Sequence, residues 1–248
     1  MGTSIVRTID QSTFTIDAGG SAEDPFALPW TGHIRYTPKY GQGKSVTEMW
    51  ALELASVSSL GAAVESVGGR ERERFSLAGG ELVIFDCAKP GDARWAAWLG
   101  PWHMSHALFY EPQWRTPDIV ETFSRLKWTD TPEGLTAGPG AAFDLERSVY
   151  LQDVPGVGTL FVEEKRAAAP RIPRWKGFTA TAGEVWRLAE PPSGDAAPLL
   201  YVSDTAVATL APWDAPTAIG KGTSRAGAGT SQNAFEFLRS IKKIDWVA

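Results

Sequence analysis

The sequence predicts an α+β protein, mainly antiparallel β, with a few short helices and an amphipathic helix at its C-terminus. Three observations lead there. First, 25 Gly and 17 Pro among 248 residues break regular structure too often for a helical bundle. Second, strand-like runs with Gly and Pro turns fill the chain beyond Asp130. Third, Ala234, Phe237, Leu238, Ile241 and Ile244 stand at i, i+3, i+4, i+7 and i+10, an apolar stripe at helical spacing.

Taken in order, Ser4 to Ile9 and Thr13 to Asp17 are β-branched runs parted by Asp10-Gln11, which reads as an N-terminal hairpin. From Ile34 to Tyr40 the chain alternates strictly, with Ile34, Tyr36, Pro38 and Tyr40 on one side and Arg35, Thr37 and Lys39 on the other. Pro38, which has no N–H to give a ladder, places that strand at a sheet edge. Ser45 to Val64 supports two readings. Trp50, Leu52 and Leu54 alternate, yet Ser45 with Glu48 forms a capping box and Val46, Trp50, Val57, Leu60 and Val64 follow a helical face. Phe75–Leu77 and Glu81–Phe85 flank Ala78-Gly79-Gly80 as a hairpin. Asp92 is placed to cap a short helix through Leu99 that Gly100-Pro101 must stop. Thr116-Pro117 opens another, with Ile119, Phe123 and Leu126 along one face.

Five further strands are expected at 148–151, 159–164, 178–188, 199–203 and 206–210. The organisation that follows is a β-rich domain over 1–219, divisible near 130–145, a flexible connector over 220–232 that is too poor in apolar groups to pack, and a helix over 233–248. A short motif recurs as FTIDAGG from Phe14, FSLAGGE from Phe75 and FTATAGE from Phe178. The unequal spacings favour three independent Gly turns over a duplication.

Composition narrows function. A net charge of −5 removes the footprint of a generic nucleic-acid or anionic-membrane binder. The N-terminus lacks the apolar core of a secretory signal, and no apolar stretch reaches a membrane-spanning length, so synthesis in the cytoplasm is expected. A single cysteine, Cys87, leaves no internal disulfide and no multi-cysteine metal site.

The sharpest chemical pattern is Gly41-Gln42-Gly43-Lys44-Ser45, because a Gly-Lys-Ser between strand and helix presents backbone N–H groups, a cation and a hydroxyl to phosphate and Mg²⁺. With Gly32-His33 ahead of it and the apolar run Leu82–Phe85 ending in Asp86, it resembles the arrangement in FtsK/HerA-type DNA-pumping ATPases. That resemblance implies Gly43, Lys44 and Ser45 on the nucleotide and Asp86 as the second carboxylate. It departs from the pattern at Pro38, where the loop's first glycine would stand, and in the charged alternation of Arg35 and Lys39.

His103 and His106, at i and i+3, suggest a shared helical face for a divalent metal with Glu111, Asp92 or His33 as third ligand, although satisfied histidines are the commoner outcome. Cys87 beside one of them would make a thiol nucleophile, a reading ranked below a packed cysteine. Trp95, Trp98 and Trp102 stand at i, i+3 and i+7 with Trp114 nearby, giving either a local core or a stacking or interface cluster. The leading expectation is therefore a non-enzymatic structural or interaction subunit of a larger assembly, such as a phage-like particle. It needs no metal or cofactor and docks on protein partners, copies of itself included, through Phe237, Leu238, Ile241 and Ile244 on a tethered helix. A P-loop NTPase and a ligand-binding β domain with a Trp-rich site are the alternatives.

Overall fold

A computed structural model describes residues 2–19, 24–38, 50–89, 93–110, 114–138, 143–188, 197–213 and 231–247. Two compact units emerge. Unit A comprises Arg7–Ser12 and Thr31–Ser148; unit B comprises Met1–Val6, Thr13–Trp30 and Val149–Ala248. The division at 148 falls just past the predicted 130–145, but the assignment of the N-terminal strands to the C-terminal half is not visible in composition.

Strands β1 (Gly2–Arg7) and β2 (Thr13–Ala18) are neighbours, as the hairpin reading expects. Their turn is fixed by Asp10, whose carboxylate accepts from the Ser12 N–H at 3.1 Å and hydroxyl at 2.7 Å, and by Gln11 at φ 75°. Unit A continues with β3 (Thr31–Pro38), β4 (Trp50–Ser56), α1 (Leu60–Ser66), β5 (Arg70–Leu77), β6 (Gly80–Asp86), β7 (Ala93–Leu99), β8 (His103–Tyr110), α2 (Thr116–Ser124), β9 (Lys127–Thr131) and β10 (Gly134–Gly138). Its sheet runs β5-β6-β7-β8-β4-β3. Ser45–Val64 thus resolves into both of its readings in turn, strand to Ser56 and then helix, while Ser45 and Glu48 lie outside the described residues.

Two expectations are corrected here. β3 is not an edge strand: β4 and β11 (Phe143–Val154) flank it. The predicted helix ending at Leu99 is instead strand β7. Its Trp95 and Trp98 suggest a helical stripe only because the strand is buried on both faces, so the two rings project to opposite sides.

Unit B carries β11, β12 (Gly158–Glu164), α3 (Lys165–Ala168), β13 (Phe178–Ala180), β14 (Gly183–Arg187), β15 (Leu199–Val202), β16 (Ala206–Pro212), α4 (Ser231–Ser240) and β17 (Ile241–Val247), with sheet order β13-β14-β15-β16-β12-β11. The expected C-terminal amphipathic helix over 233–248 is corrected: α4 ends at Ser240, and the chain then runs into strand β17, which pairs antiparallel with β2.

The units follow one plan, register included. Phe75↔Leu82, Glu81↔Leu99 and Leu99↔Met104 of unit A recur in unit B as Phe178↔Val185, Glu184↔Val202 and Val202↔Val207, each residue 103 positions later. The bond closing the β7–β8 turn, Gly100 N–H to His103 O, recurs as Ser203 N–H to Ala206 O. One strand over, Glu53↔His106 becomes Phe161↔Thr209. The cores match as well: Val83, Ala97 and Met104 pack together in one unit, and Trp186, Leu200 and Val207 at the corresponding positions in the other. Even the last pairing is repeated with different chain segments, since β9 after α2 pairs with β10 and β17 after α4 pairs with β2.

A steric constraint sits at the same place in both. A Cβ on Gly80 would lie 2.4 Å from Leu99 O, and one on Gly183 would lie 2.3 Å from Val202 O. Gly80→Ala and Gly183→Ala should each cost about 1–3 kcal/mol through overpacking. Gly61→Ala, whose Cβ would meet nothing within 4 Å on α1, should stabilise by up to about 1 kcal/mol. Urea unfolding of the three variants measures the contrast.

Candidate functional site

The residues singled out by sequence are mostly absorbed by unit A's own packing. Trp98 stacks on Trp128 at 4.8 Å and 9°, while Trp95 packs on the other face against Phe85 and His106. Trp114 meets Phe109 edge-on at 5.1 Å, and Trp102 is largely exposed on the β7–β8 turn. The four tryptophans do not form one platform.

His103 and His106 lie on strand β8, so a spacing of three sends them to opposite faces rather than to a common metal. His103 Nδ1 is 2.6 Å from Asp130, whose carboxylate also accepts the Trp102 and His103 N–H groups at 2.8 and 3.0 Å. Asp130 occupies the space that a side chain on Gly100 would need. His106 stands in a cross-strand row with Glu53 and His33. Its Nδ1 accepts the Trp95 indole N–H at 3.1 Å, which leaves the ring proton on Nε2, 3.7 Å from Glu53. A ring so arranged has no lone pair for a cation. Among the described residues no three His, Cys, Asp or Glu side chains form a metal-holding group, while Glu111 and Asp92 lie outside them. Burial holds the His106 pKa below its ordinary value, partly offset by Glu53. Cys87 is packed in the same core, and burial pushes its thiol pKa up, as for a packed cysteine.

Gly43, Lys44 and Ser45 lie outside the described residues, but the topology around them is not that of a P-loop. β3 pairs antiparallel with β4, the next strand in the chain. β4, β8 and β7 separate it from β6, where Asp86 is engaged by Arg72 at 3.1 Å.

The C-terminal residues proposed for docking are corrected too. Leu238, Ile241 and Ile244 are buried within unit B, and Phe237 meets Phe26 at 6.4 Å. Ile241 and Ile244 belong to β17, whose strand pairing with β2 no helical-periodicity argument could reveal.

What sequence reasoning missed is a cleft in unit B of about 590 Å³, lined among others by Lys165, Arg174, Trp175, Lys176, Glu184 and Trp186. Its origin is local. Val57 N–H bonds Trp102 O in unit A, and Lys165 N–H bonds Thr205 O in unit B, so these two residues correspond. Eighteen residues then lead from Val57 to Phe75, but only thirteen from Lys165 to Phe178. The missing five belong to the stretch that forms α1 in unit A, whose Leu60, Ala63, Val64 and Val67 cover the core. In unit B the corresponding place is taken by the shorter α3 and the helical turn that continues it to Arg171, with Ala168 and Ile172 packed on the core and Pro173 just beyond its end.

The cleft wall is held firmly. Arg171 pairs with the buried Glu163 carboxylate. Trp186 Nε1 donates to Trp175 O at 2.8 Å, and Gly177 N–H donates to Glu184 at 3.0 Å where its backbone crosses the Trp186 ring. Arg174, Trp175 and Lys176 project from this pinned backbone into solvent, with Trp175 68% exposed and Phe178 67% exposed. Neither Arg174 nor Lys176 has an ion-pair partner among the described residues. The only sequence signal for the site was the PRIPRWKG stretch itself, two prolines among cations and a tryptophan.

No helix among the described residues is long and apolar enough to cross a membrane. Comparison with protein-family models, curated proteins and solved structures found no match to this chain.

Two outcomes test this assignment. His106 is held neutral in the fold while the unfolded chain protonates near pH 6.5. Its contribution is therefore complete above that pH and is lost as the pH falls below it. His106→Gln keeps an acceptor for Trp95 and should flatten the fall in unfolding free energy between pH 7 and 5. Ending the chain at residue 220 removes five buried residues, Ala234, Leu238, Ile241, Ile244 and Trp246, of which the three large aliphatics are worth about 1.5–3 kcal/mol each. It should unfold unit B, seen as new sites of limited proteolysis confined to that unit, rather than detach an arm.

Proposed function

We propose that this chain is a non-enzymatic structural subunit of a larger protein assembly, built from two copies of one β unit that have taken different parts. Unit A keeps its α1 cover and closes its outer strand with charge. On β5, Arg74 pairs with Glu71 at 2.8 Å and Glu81 at 2.5 Å, and Arg72 with Asp86, a pattern that discourages strand addition. Unit B has a shorter cover, α3 with Ala168 and Ile172 on its core, and leaves Trp175 and Phe178 about two-thirds exposed.

The observation that carries the reading is this pair of aromatic side chains, each about two-thirds exposed, on a backbone fixed by three hydrogen-bonded or ionic anchors. Exposed aromatics on a rigid frame lose little entropy on association and are the usual anchors of an interface. Docking through the C-terminal helix is not part of this proposal, because its apolar face is occupied at home.

Sedimentation velocity over a range of concentrations tests it. The wild-type chain should form a defined oligomer, and Trp175→Ala with Phe178→Ala should shift it to monomer with an unchanged melting temperature. A wild-type chain that stays monomeric at 100-fold above its working concentration, or an oligomer indifferent to both substitutions, would overturn the proposal.

A further inference from the structure

We infer that His106 is an acid-sensitive latch: a proton taken up by its ring breaks the bond to Trp95 and loosens α1 from the core of unit A. The geometry of the ring sets this up. Nδ1 accepts the Trp95 indole N–H at 3.1 Å, and the ring centres lie 4.9 Å apart. An imidazolium carries a proton on both nitrogens, so it has no acceptor left and turns an N–H toward the indole N–H. The indole, in a side chain only 2% exposed, then keeps a buried donor facing another donor.

The neighbours of the ring do not relieve this conflict. From β4, Glu53 stands 3.7 Å from Nε2 with a side chain 60% exposed, and His33 and Arg35 follow it on the same face of β3. β7 offers Ala97 and the indole itself, and the α1 side of the core is apolar throughout, with Leu60, Ala63 and Val64. Glu53 favours the charged ring, and burial disfavours it more strongly. Acting at Nε2, Glu53 cannot restore the acceptor lost at Nδ1.

What the latch holds is a marginal helix. Trp95 belongs to the apolar cluster, with Val83, Phe85 and Met104, on which α1 rests. α1 has seven residues, fewer than the roughly 12–15 that an isolated helix needs. None of them is fully buried, Ser59 gives the helix no side-chain cap, and no ion pair among the described residues fastens it. Its attachment is the packing on that cluster and the backbone bonds just past its end, where the Ala88 and Lys89 N–H groups donate to Val67 O at 3.0 and 3.1 Å. Unit B has no such device. Thr209 and Pro198 stand there at the positions of His106 and Trp95, 103 residues later, and neither titrates.

Hydrogen exchange of the full-length chain from pH 7.5 to 4.5, corrected for intrinsic rates, tests the latch. Opening α1 returns His106 to its ordinary pKa, so protection of the amides of residues 64–69 and of Ala88 should fall about tenfold for each unit below about pH 6.5. Val83 and Ala97 in the β6–β7 ladder and the β12–β16 ladder of unit B should stay protected. His106→Gln, which keeps an acceptor for the indole without a titrating ring, should hold α1 protected across the range. His106→Thr, the residue unit B carries at this position, serves if the Gln variant does not fold. Protection of α1 that ignores pH in the wild type, or that falls in the variant as it does in the wild type, would overturn the inference. So would a loss shared by the β6–β7 ladder or by unit B, which is acid unfolding of the sheet and not release of its cover.

Discussion

The cross-strand register of a four-stranded meander is the constraint on which the rest of this protein depends. A shift of one residue would exchange the two faces of every strand, and both units guard against it at each end. At one end Gly80 in unit A and Gly183 in unit B pass so close to Leu99 O and Val202 O that no side chain fits, and in unit A the turn before it adds Ala78 and Gly79 at positive φ. At the other, Asp130 on β9 accepts the N–H groups of Trp102 and His103. In unit B, Asp245 on β17 accepts the Thr205 hydroxyl at 2.8 Å, 103 positions after Trp102. With turn and carboxylate setting the ends, the side chains between them are free to change as long as volume is conserved.

They have changed in an orderly way. The row His33, Glu53, His106 in unit A corresponds to Leu151, Phe161, Thr209 in unit B, so a polar band on one sheet is largely apolar on the other. Ala55, packed against α1, corresponds to Glu163, whose buried carboxylate ties down Arg171. A small apolar residue beneath α1 in unit A thus stands where unit B has an anion that holds Arg171 at the end of its helical turn, one of the three anchors of the Pro-containing segment.

How far the sequence disclosed this depended on the range of the interactions. The β5–β6 hairpin was legible because its turn is chemically local, and α2 because Ile119, Phe123 and Leu126 share one face. β7 was misread because burial on both faces erases the period-2 signal, and β17 because its partner β2 lies more than 200 residues away. The repeat was half legible. FSLAGGE and FTATAGE do mark the same turn in the two units, whereas FTIDAGG belongs to β2, which plays a different part, and its inclusion made the spacing look irregular. The cleft was not legible at all, since it exists only as the difference between two stretches whose correspondence needs the register.

The place of β2 explains why the units, alike in plan, need not be alike in folding. In unit A the chain supplies β10 directly after β9, so nearly all of its pairings close within residues 31–148. Unit B must bring β2 to β17, joining segments more than 200 residues apart. Loop-closure cost grows with the logarithm of the separation, about 0.6 kcal/mol for each doubling. The β2–β17 closure therefore carries a penalty that the β9–β10 hairpin does not. It is compensated only once Phe14, Tyr150 and Trp246 have come together, their rings 5.4 to 6.2 Å apart. The pairings of unit A thus lie almost wholly within a contiguous stretch of chain, whereas unit B depends on a pairing between segments more than 200 residues apart.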